Sequence, residues 1–341
     1  MGSYAGIDWA SEKHDVLIAD EHGGQLLAET FMHDEQGIAA LCDALSCFEV
    51  DLVAIERGDG VLVERLLEAG VRVLALHPNQ VKAARDRFRA SGGKSDRFDS
   101  FVLCELGRTD AHRFRILEPD SDQTKALRAL TRSREDLVAA RVALANQLRA
   151  ELERFWPGPV GLFAALDSPI SLAFLARYPS PGDTRGLGEK RMAAFLKAHR
   201  YARKTPALLL ERLRSAPSGR AGEIETRTRR AIVIRLVSTL QVLVDQIGGL
   251  ETEIGQALDA HPDGEIFRSF FKTGSVICAA TLLAEIGDCR RRYPHRDAIA
   301  ADAGQAPVAV ESGKRKHAKF RWACNKRLRN ALSTLAHCTC R

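Results

Sequence analysis

Residues 4–31 of the chain, YAGIDWASEKHDVLIADEHGGQLLAETF, contain three short runs with the composition of β-strands. These runs are Tyr4–Trp9, His14–Ala19 and Gln25–Phe31, and Glu21-His22-Gly23-Gly24 has the composition of a tight turn. Three strands joined by short connections predict an antiparallel meander. The N-terminal domain is therefore predicted to be built on a sheet.

After the meander, the pattern alternates between helix and strand. Glu35–Phe48 has apolar residues at helical spacing, and Asp51–Glu56 (DLVAIE) has the composition of a buried strand. Gly60–Ala69 is predicted to be helical, Val71–Leu76 (VRVLAL) is a second buried strand, and Pro78 opens a further helix. The order β-β-β-α-β-α-β-α is that of the ribonuclease H fold, an α/β fold with a mixed sheet and helices packed on it.

The pattern becomes helical near residue 121. Thr124–Phe155 is a long predicted helix, a segment rich in Pro and Gly (Trp156–Gly188) follows, and helical pattern resumes at about 189–215 and again at 223–260. Apolar residues in the last stretch recur at steps of three and four, which predicts a heptad-like seam. This seam suits either a helical hairpin within one chain or a contact between two copies.

We predict three regions that differ in charge. An α/β domain over residues 1–120 has a net charge of −9, and an all-α coiled-coil region over residues 121–265 has a net charge of +5. A small helical C-terminal domain over residues 266–341 has a net charge of +10. The basic C-terminal region predicts a polyanionic partner.

The composition is typical of a globular protein without a membrane span. Apolar residues make up 45% of the chain and charged residues 28%, and no run approaches 18 consecutive apolar residues. The N-terminus lacks the basic start and apolar run of a signal peptide. None of the eight cysteines forms a CxxC pair, which favours free thiols in a reducing cytoplasm. We therefore expect a cytoplasmic, nucleoid-associated protein with no membrane partner.

Four acidic residues are predicted to meet at one end of the sheet. Asp8 ends the first strand and Glu56 ends the fourth, and these two strands are neighbours in a ribonuclease H sheet. Asp96 and Asp99 are three residues apart, a spacing that puts both on one face of a helix, with Ser95 as a plausible N-cap. Each acid alone is more typical of a solvated strand end or helix face. Their joint placement favours a shared site.

Four converging carboxylates repel one another unless a cation lies between them. Oxygen ligands suit Mg²⁺ or Mn²⁺, and two such ions can activate a nucleophile and stabilise a leaving oxygen in phosphoryl transfer. The acids therefore predict a metal-dependent catalytic site. His14 could assist a proton transfer there, although a surface histidine is the simpler interpretation.

A basic tract near the C-terminus is predicted to bind nucleic acid. Residues 314–329 contain eight Lys and Arg residues and no acid, a density that attracts phosphate groups. Phe320 and Trp322 within it either stack on unpaired bases or, as we prefer, belong to a small core. Ser312 precedes the tract and is either a loop residue or a nucleophile activated by neighbouring positive charge. The predicted nucleic-acid contacts are Lys314, Arg315, Lys316, Lys319, Arg321, Lys326, Arg327 and Arg329.

Three stretches, taken in order and spacing, resemble transposases of the insertion sequence 110 family. They are Gly6–His14 (GIDWASEKH), His77–Gln80 (HPNQ) leading to Lys94–Asp99 (KSDRFD), and Ala303–Pro307 (AGQAP) followed by Ser312–Lys314 (SGK). The resemblance extends over nearly the whole chain. It implies a RuvC-like domain, a helical coiled-coil insertion and a C-terminal transposase domain with a serine nucleophile.

The resemblance also assigns roles to residues. The DEDD tetrad corresponds to Asp8, Glu56, Asp96 and Asp99, and Ser312 is the best match for the serine. Members of the family excise and insert their element, and some are guided by a structured RNA that pairs with element-end and target DNA. The resemblance implies a homo-oligomer, a dimer or tetramer, with composite active sites and a 5′-phosphoserine DNA intermediate.

One feature departs from the family pattern. Family members usually continue through further helix after the stretch that matches Leu328–Leu335, so we expect a truncated C-terminal domain. Two other functions stay open at this stage. One is a non-catalytic remnant that binds nucleic acid. The other is an actin-like ATPase or kinase, which needs a Gly-rich phosphate loop that Asp8-Trp9-Ala10-Ser11 does not supply.

Overall fold

A computed structural model of the chain describes residues 2–88, 95–217, 219–271, 275–312 and 315–339. The chain divides into two compact units, Met1–Asp120 and Ser121–Arg341.

The first unit contains a five-stranded mixed sheet with helices on both faces. Its strands are β1 (Ser3–Trp9), β2 (Lys13–Ala19), β3 (Gln25–Met32), β4 (Val50–Ile55) and β5 (Val73–Ala75). Its helices are α1 (Glu35–Cys47), α2 (Val61–Glu68), α3 (Pro78–Phe88) and α4 (Asp96–Asp110). The spatial order is β3-β2-β1-β4-β5, with β1 to β3 antiparallel and β4 and β5 parallel to β1. The predicted mixed α/β sheet is therefore confirmed, and its strand order is the one expected of a ribonuclease H-like domain.

Apolar side chains of the central strands point alternately to the two faces of this sheet, so both faces are apolar. Ile7 and Ile55 pack on one face with α1 and α2, whereas Leu52 and Ala54 pack on the other face with α3 and α4. Residues that follow Ile7 and Ile55 at the strand ends therefore belong to the α3–α4 side, because successive side chains of a strand point to opposite faces.

The second unit is largely helical. Its helices are α5 (Asp122–Phe155), α6 (Pro169–Arg177), α7 (Glu189–Ala198), α8 (Pro206–Ser215), α9 (Glu223–Ala260), α10 (Gly264–Ser269), α11 (Val276–Ile286), α12 (Arg296–Asp302) and α13 (Lys326–Thr339). Helices α5 and α9 pack along each other within the chain. The internal hairpin, one of the two interpretations of the heptad-like seam, is therefore present.

Two apolar cores lie along this hairpin. In one, Leu148 and Leu152 of α5 and Val233 of α9 pack with α6, α7 and α8. In the other, Leu127 of α5 and Leu258 of α9 pack with α10, α11 and α13. Residues 266–341 thus build their core together with the ends of the two long helices.

The structure corrects one expectation for this unit and adds one helix that was not predicted. The C-terminal region is not wholly helical, because β6 (Val308–Ser312) and β7 (Arg315–Lys319) form an antiparallel hairpin. The alternating residues of β6 favour a strand. The residues of β7 are mostly charged, so its composition did not predict that it pairs with β6. The segment rich in Pro and Gly contains α6, which begins at Pro169, a favoured first helical position.

Helix α9 also bears on the expectation that the chain lacks a membrane span. By length and composition alone it is long and apolar enough to cross a membrane. Arg235 and Asp245 interrupt its apolar residues, so a search for an unbroken apolar run misses it. A core helix passes the same test, and Val233, Val237 and Leu240 of α9 are buried in the first core of this unit.

Candidate active site

The ends of β1 and β4 bring Asp8 and Glu56 to the same level of the sheet. Ile7 and Ile55 are direct partners in the parallel ladder. Asp8 immediately follows Ile7 along the chain, and Glu56 immediately follows Ile55. The residues after them also meet, because the guanidinium of Arg57 lies 4.4 Å from the ring centre of Trp9. Asp8 and Glu56 therefore lie side by side at the carboxyl ends of parallel strands.

Helix α4 crosses β1 closely at Gly6, on the same face as Asp8. A Cβ atom at Gly6 would lie 2.0 Å from the carbonyl oxygen of Ser100 and 2.3 Å from the amide nitrogen of Cys104. The thiol of Cys104 also donates a hydrogen bond to the carbonyl of Tyr4 at 3.2 Å. This close approach sets the N-terminal part of α4 against the end of β1, where Asp8 lies.

The first turn of α4 contains Asp96 and Asp99. Ser95 is the N-cap, as predicted, and its hydroxyl accepts a hydrogen bond from the amide of Phe98 at 3.3 Å. Asp96 is exposed, whereas Asp99 is only 1% exposed. The positive end of the helix dipole favours both carboxylates at this position.

Arg85 of α3 connects two of the four acids. Its Nε donates to Oδ1 of Asp99 at 2.6 Å, and its Nη2 lies 3.5 Å from Oε1 of Glu56. Sequence analysis missed this arginine. Val81, one helical turn earlier, is fully buried, so Arg85 is on the inward face of α3, and the spacing of four could have identified it.

The four acids share one end of the sheet but do not form a closed metal site. Among the residues that the structure describes, no three His, Cys, Asp or Glu side chains come close enough to hold a metal ion. The donor set nevertheless fits a hard divalent cation, because it consists of carboxylate oxygens. The guanidinium of Arg85 supplies the positive charge that Glu56 and Asp99 require.

Asp15 of β2 is a further acid close to the end of β1. It pairs directly with Asp8 across β1 and β2, so the two side chains are on one face of the sheet. Asp15 is 7% exposed, and Thr30 donates a hydrogen bond to its Oδ1 at 2.7 Å. A cavity of about 610 Å³ opens beside it, lined also by Ser95 and Arg97. There is therefore open space on the face of the sheet that carries Asp8.

His14 is buried rather than on the surface. Its Nε2 lies 2.9 Å from Nδ1 of His33, and Trp9 stacks on its ring. Burial, and then the charge of His33, lower the pKa of His14 to about 4, and the charge of Asp15 opposes this only in part. His14 is therefore neutral at physiological pH, and the expectation of a surface histidine is wrong.

Ser312 lies in the second unit, at the end of β6. It is exposed and pairs with Arg315 across the tip of the hairpin. His317 and Lys319 lie at alternate positions of β7, so they share one face of the hairpin with Ser312 and Arg315. Lys314 lies outside the described residues. The serine thus stands on a basic, solvent-accessible face.

The remaining cations of the basic tract have different surroundings. Lys316, Lys319 and Lys326 are exposed. Arg321 donates a hydrogen bond to the carbonyl of Ala306, and Arg329 donates one to the carbonyl of Ala303 and lies over Phe320. Arg327 pairs with Glu135 and Asp136 of α5 at 2.7 and 2.8 Å. Trp322 is 80% exposed, so the expectation that this aromatic residue belongs to a core is wrong.

Two family models match the sequence. A model of the DEDD domain of IS110 transposases matches residues 5–157, and a model of the transposase IS116/IS110/IS902 family matches residues 271–341. The mini-circle putative transposase for IS117 of Streptomyces coelicolor is 32% identical over 340 residues, which cover 96% of this chain and 82% of that protein. The chain belongs to the IS110 family of transposases.

Three further proteins are similar to parts of this transposase. The putative transposase y4uE of Sinorhizobium fredii is 36% identical over 207 residues, 59% of this chain and 57% of that protein. The insertion element IS110 43.6 kDa protein of Streptomyces coelicolor is 28% identical over 324 residues, 93% and 78% of the two chains. Among solved structures, T. thermophilus RuvC in complex with a Holliday junction substrate matches 34% of this chain and all of that chain, with 18% identity and a TM-score of 0.28.

Family membership bears on the chemistry of the acids. A DEDD transposase domain implies the use of a divalent metal ion, and the range matched by the first model, residues 5–157, includes Asp8, Glu56, Asp96 and Asp99. The range matched by the second model, residues 271–341, includes Ser312 and the basic tract.

Proposed function

We propose that this transposase excises and inserts its element by cutting and rejoining DNA at a metal-dependent site that contains Asp8, Glu56, Asp96 and Asp99. The observation that carries the proposal is the approach of α4 to β1 at Gly6, with Arg85 in contact with Glu56 and Asp99. Buried Asp99 needs a positive partner, and the acids offer the oxygen ligands that Mg²⁺ or Mn²⁺ prefers.

The bound metal would stabilise negative charge on the phosphate that is attacked and on the oxygen that leaves. The carboxylates would hold the metal ion at the carboxyl ends of β1 and β4 and at the first turn of α4. Exposed Asp96 faces solvent, where substrate can approach, whereas buried Asp99 is paired with Arg85.

We further propose that Ser312 is the nucleophile. Its Oγ forms a bond to the DNA phosphorus, the bond from phosphorus to the 3′ oxygen breaks, and the serine proton passes to solvent or a neighbouring base while the 3′ oxygen gains a proton. Arg315, directly opposite Ser312 in the hairpin, supports this role because a guanidinium can bind the attacked phosphate with two hydrogen bonds.

The exposed cations support DNA as the partner, namely the element ends and the target. We propose that Arg315, Lys316, Lys319 and Lys326 bind phosphate, and that Trp322 stacks on an unpaired base. Arg321, Arg327 and Arg329 contact other parts of the second unit. These contacts favour a role in stabilising the fold rather than in binding DNA. A structured guide RNA and a homo-oligomer, dimer or tetramer, complete the proposal and rest on the family resemblance.

The proposal is tested by trapping the protein on element-end DNA. With Mg²⁺, the wild-type protein is expected to form a covalent adduct and to exchange strands. Ser312→Ala is expected to abolish the adduct while retaining DNA binding, and Ser333→Ala, in the exposed part of α13, serves as the control. An adduct that persists in Ser312→Ala would move the nucleophile elsewhere. DNA binding by the wild-type protein without strand exchange would favour the non-catalytic remnant.

A further inference from the structure

Arg85 combines a buried ion pair with a place among the proposed metal ligands. Its Nε is 2.6 Å from Asp99 Oδ1, and its Nη2 is 3.5 Å from Glu56 Oε1. The side chain of Asp99 is 2% exposed and that of Arg85 is 22% exposed. Asp99 therefore has little access to water, while its partner keeps a route to solvent.

A buried carboxylate requires a cation, because leaving it charged and unpaired is costly. Asp99 can meet this requirement with the guanidinium of Arg85 or with a divalent ion. Both would draw on the carboxylate of Asp99, and a cation bound there at roughly 2 Å would lie within a few ångströms of the guanidinium. Two positive charges at this distance in a partly buried site repel strongly. Arg85 and the metal are therefore alternative partners of Asp99.

We propose that Arg85 is a positioning residue that competes with the divalent ion for Glu56 and Asp99 and moves to a DNA phosphate when the ion binds. A guanidinium suits both partners, since its planar donors match carboxylate and phosphate alike. The inference rests on the proposed metal site. It adds that metal and DNA each increase the affinity of the protein for the other, because each partner relieves the same competition.

A merely structural arginine predicts the opposite effect. If Arg85 only held Glu56 and Asp99 in place, its removal would disorder the two carboxylates and weaken metal binding. If Arg85 competes with the metal, its removal strengthens metal binding. The sign of the change in metal affinity therefore separates the two roles, and this measurement does not depend on catalytic activity.

The experiment is a calorimetric titration of the full-length protein with Mn²⁺, with and without duplex DNA. Without DNA, Arg85→Gln is expected to bind Mn²⁺ about tenfold more tightly than the wild type, and DNA is expected to increase its Mn²⁺ affinity less than it does for the wild type. Arg87→Gln is the matched control, since Arg87 lies on the same helix, is 60% exposed and pairs with Asp110 instead. Its Mn²⁺ affinity is expected to equal that of the wild type.

Arg85→Lys is the second variant and guards against misfolding of Arg85→Gln. An ammonium is a point charge that cannot bridge two carboxylates as a guanidinium does, so this variant is expected to have intermediate Mn²⁺ affinity. Mn²⁺ affinity that is equal to or weaker than that of the wild type in both Arg85→Gln and Arg85→Lys overturns the inference.

The proposed metal site is checked separately with Asp8→Asn. If Asp8→Asn binds Mn²⁺ as well as the wild type does, the proposed site itself is wrong. If Asp8→Asn loses Mn²⁺ but Arg85→Gln does not gain affinity, the site stands and only the role of Arg85 is wrong.

Discussion

Gly6 of β1 and Ser100 of α4 are in such close contact that a Cβ atom at Gly6 would lie 2.0 Å from the carbonyl oxygen of Ser100. Both obstructing groups at this position, the Ser100 carbonyl and the Cys104 amide, belong to the backbone. A side chain at residue 6 could therefore be admitted only by moving the helix. Asp99, next to Ser100, would move with it.

Gly6→Ala is expected to lower the free energy of unfolding by about 1–3 kcal/mol or more, because overpacking a tight contact displaces backbone. The same change is expected to reduce strand cleavage, since it shifts Asp99 away from Asp8. Chemical denaturation measures the first effect and a cleavage assay the second. Gly248→Ala in α9 is the control, because a Cβ there meets nothing within 4 Å and a helical alanine stabilises. Equal stability of Gly6→Ala and the wild type would contradict the tight contact.

Acid is expected to destabilise the protein through His14. Its pKa is about 4 in the folded protein, against 6.5 ordinarily, so between these values the unfolded chain binds the additional proton. The stability that His14 contributes is therefore present above pH 6.5 and is lost as the pH falls towards 4, by up to about 3 kcal/mol.

Denaturation curves at several pH values check this prediction. His14→Gln is expected to have a shallower loss of stability between pH 6.5 and 4 than the wild type, and His22→Gln, at an exposed turn, is expected to behave like the wild type. An identical slope in His14→Gln and the wild type would show that His14 does not control this transition.

Glu285 in α11 depends on Arg132 of α5. It is 3% exposed, and Arg132 binds both of its oxygens at 2.8 and 3.0 Å while Asn325 donates at 2.7 Å. Burial alone would raise the pKa of Glu285, but these hydrogen bonds lower it. Arg132→Met is expected to cost about 3–5 kcal/mol of stability, because it leaves a buried charge without its cation.

The control for this change is Arg134→Met on the same helix. Arg134 pairs with Glu251, whose side chain is 42% exposed, so its loss is expected to cost less than about 1 kcal/mol. Addition of Glu285→Leu to Arg132→Met is expected to recover part of the lost stability. Equal melting temperatures for the two arginine variants would contradict the buried pair.

The basic tract is expected to divide into DNA-binding and supporting residues. Arg315→Ala is expected to reduce the slope of log affinity against log salt by about 1, with unchanged stability, because each phosphate contact releases about one counterion. Arg327→Ala is expected to lower stability instead, since Arg327 pairs with Glu135 and Asp136. DNA binding measured at several salt concentrations separates the two, and an unchanged slope in Arg315→Ala would contradict the assignment.

Much of the first unit follows from sequence pattern. Alternation in residues 4–31 predicted β1 to β3, and the apolar run before Glu56 predicted β4, so the neighbouring positions of Asp8 and Glu56 could be inferred from strand order alone. The N-cap at Ser95 and the helical spacing of Asp96 and Asp99 also followed, because capping and periodicity are local properties.

What escaped prediction depends on contacts between residues far apart in sequence. Arg85 became visible as a partner of Asp99 only when α3 and α4 packed together, and its own segment is simply basic and helical. His14 lies among polar residues of β2, which suggested a position on the protein surface. In the folded chain, Trp9 and His33 pack against its ring. The charged composition of β7 likewise gave no indication of a strand, because its pairing with β6 does not show in its composition.

The central claim is that the four acids hold a divalent metal ion, and the most direct measurement is the anomalous diffraction of Mn²⁺ in crystals of the transposase with element-end DNA. We expect a peak among the carboxylate oxygens of Asp8, Glu56, Asp96 and Asp99, with Arg85 turned away from Asp99. The same peak is expected in Asp59→Asn, whose altered acid pairs with Arg57 at the surface, and is expected to be lost in Asp8→Asn. A Mn²⁺ peak away from these acids, or one retained in Asp8→Asn, would contradict the account.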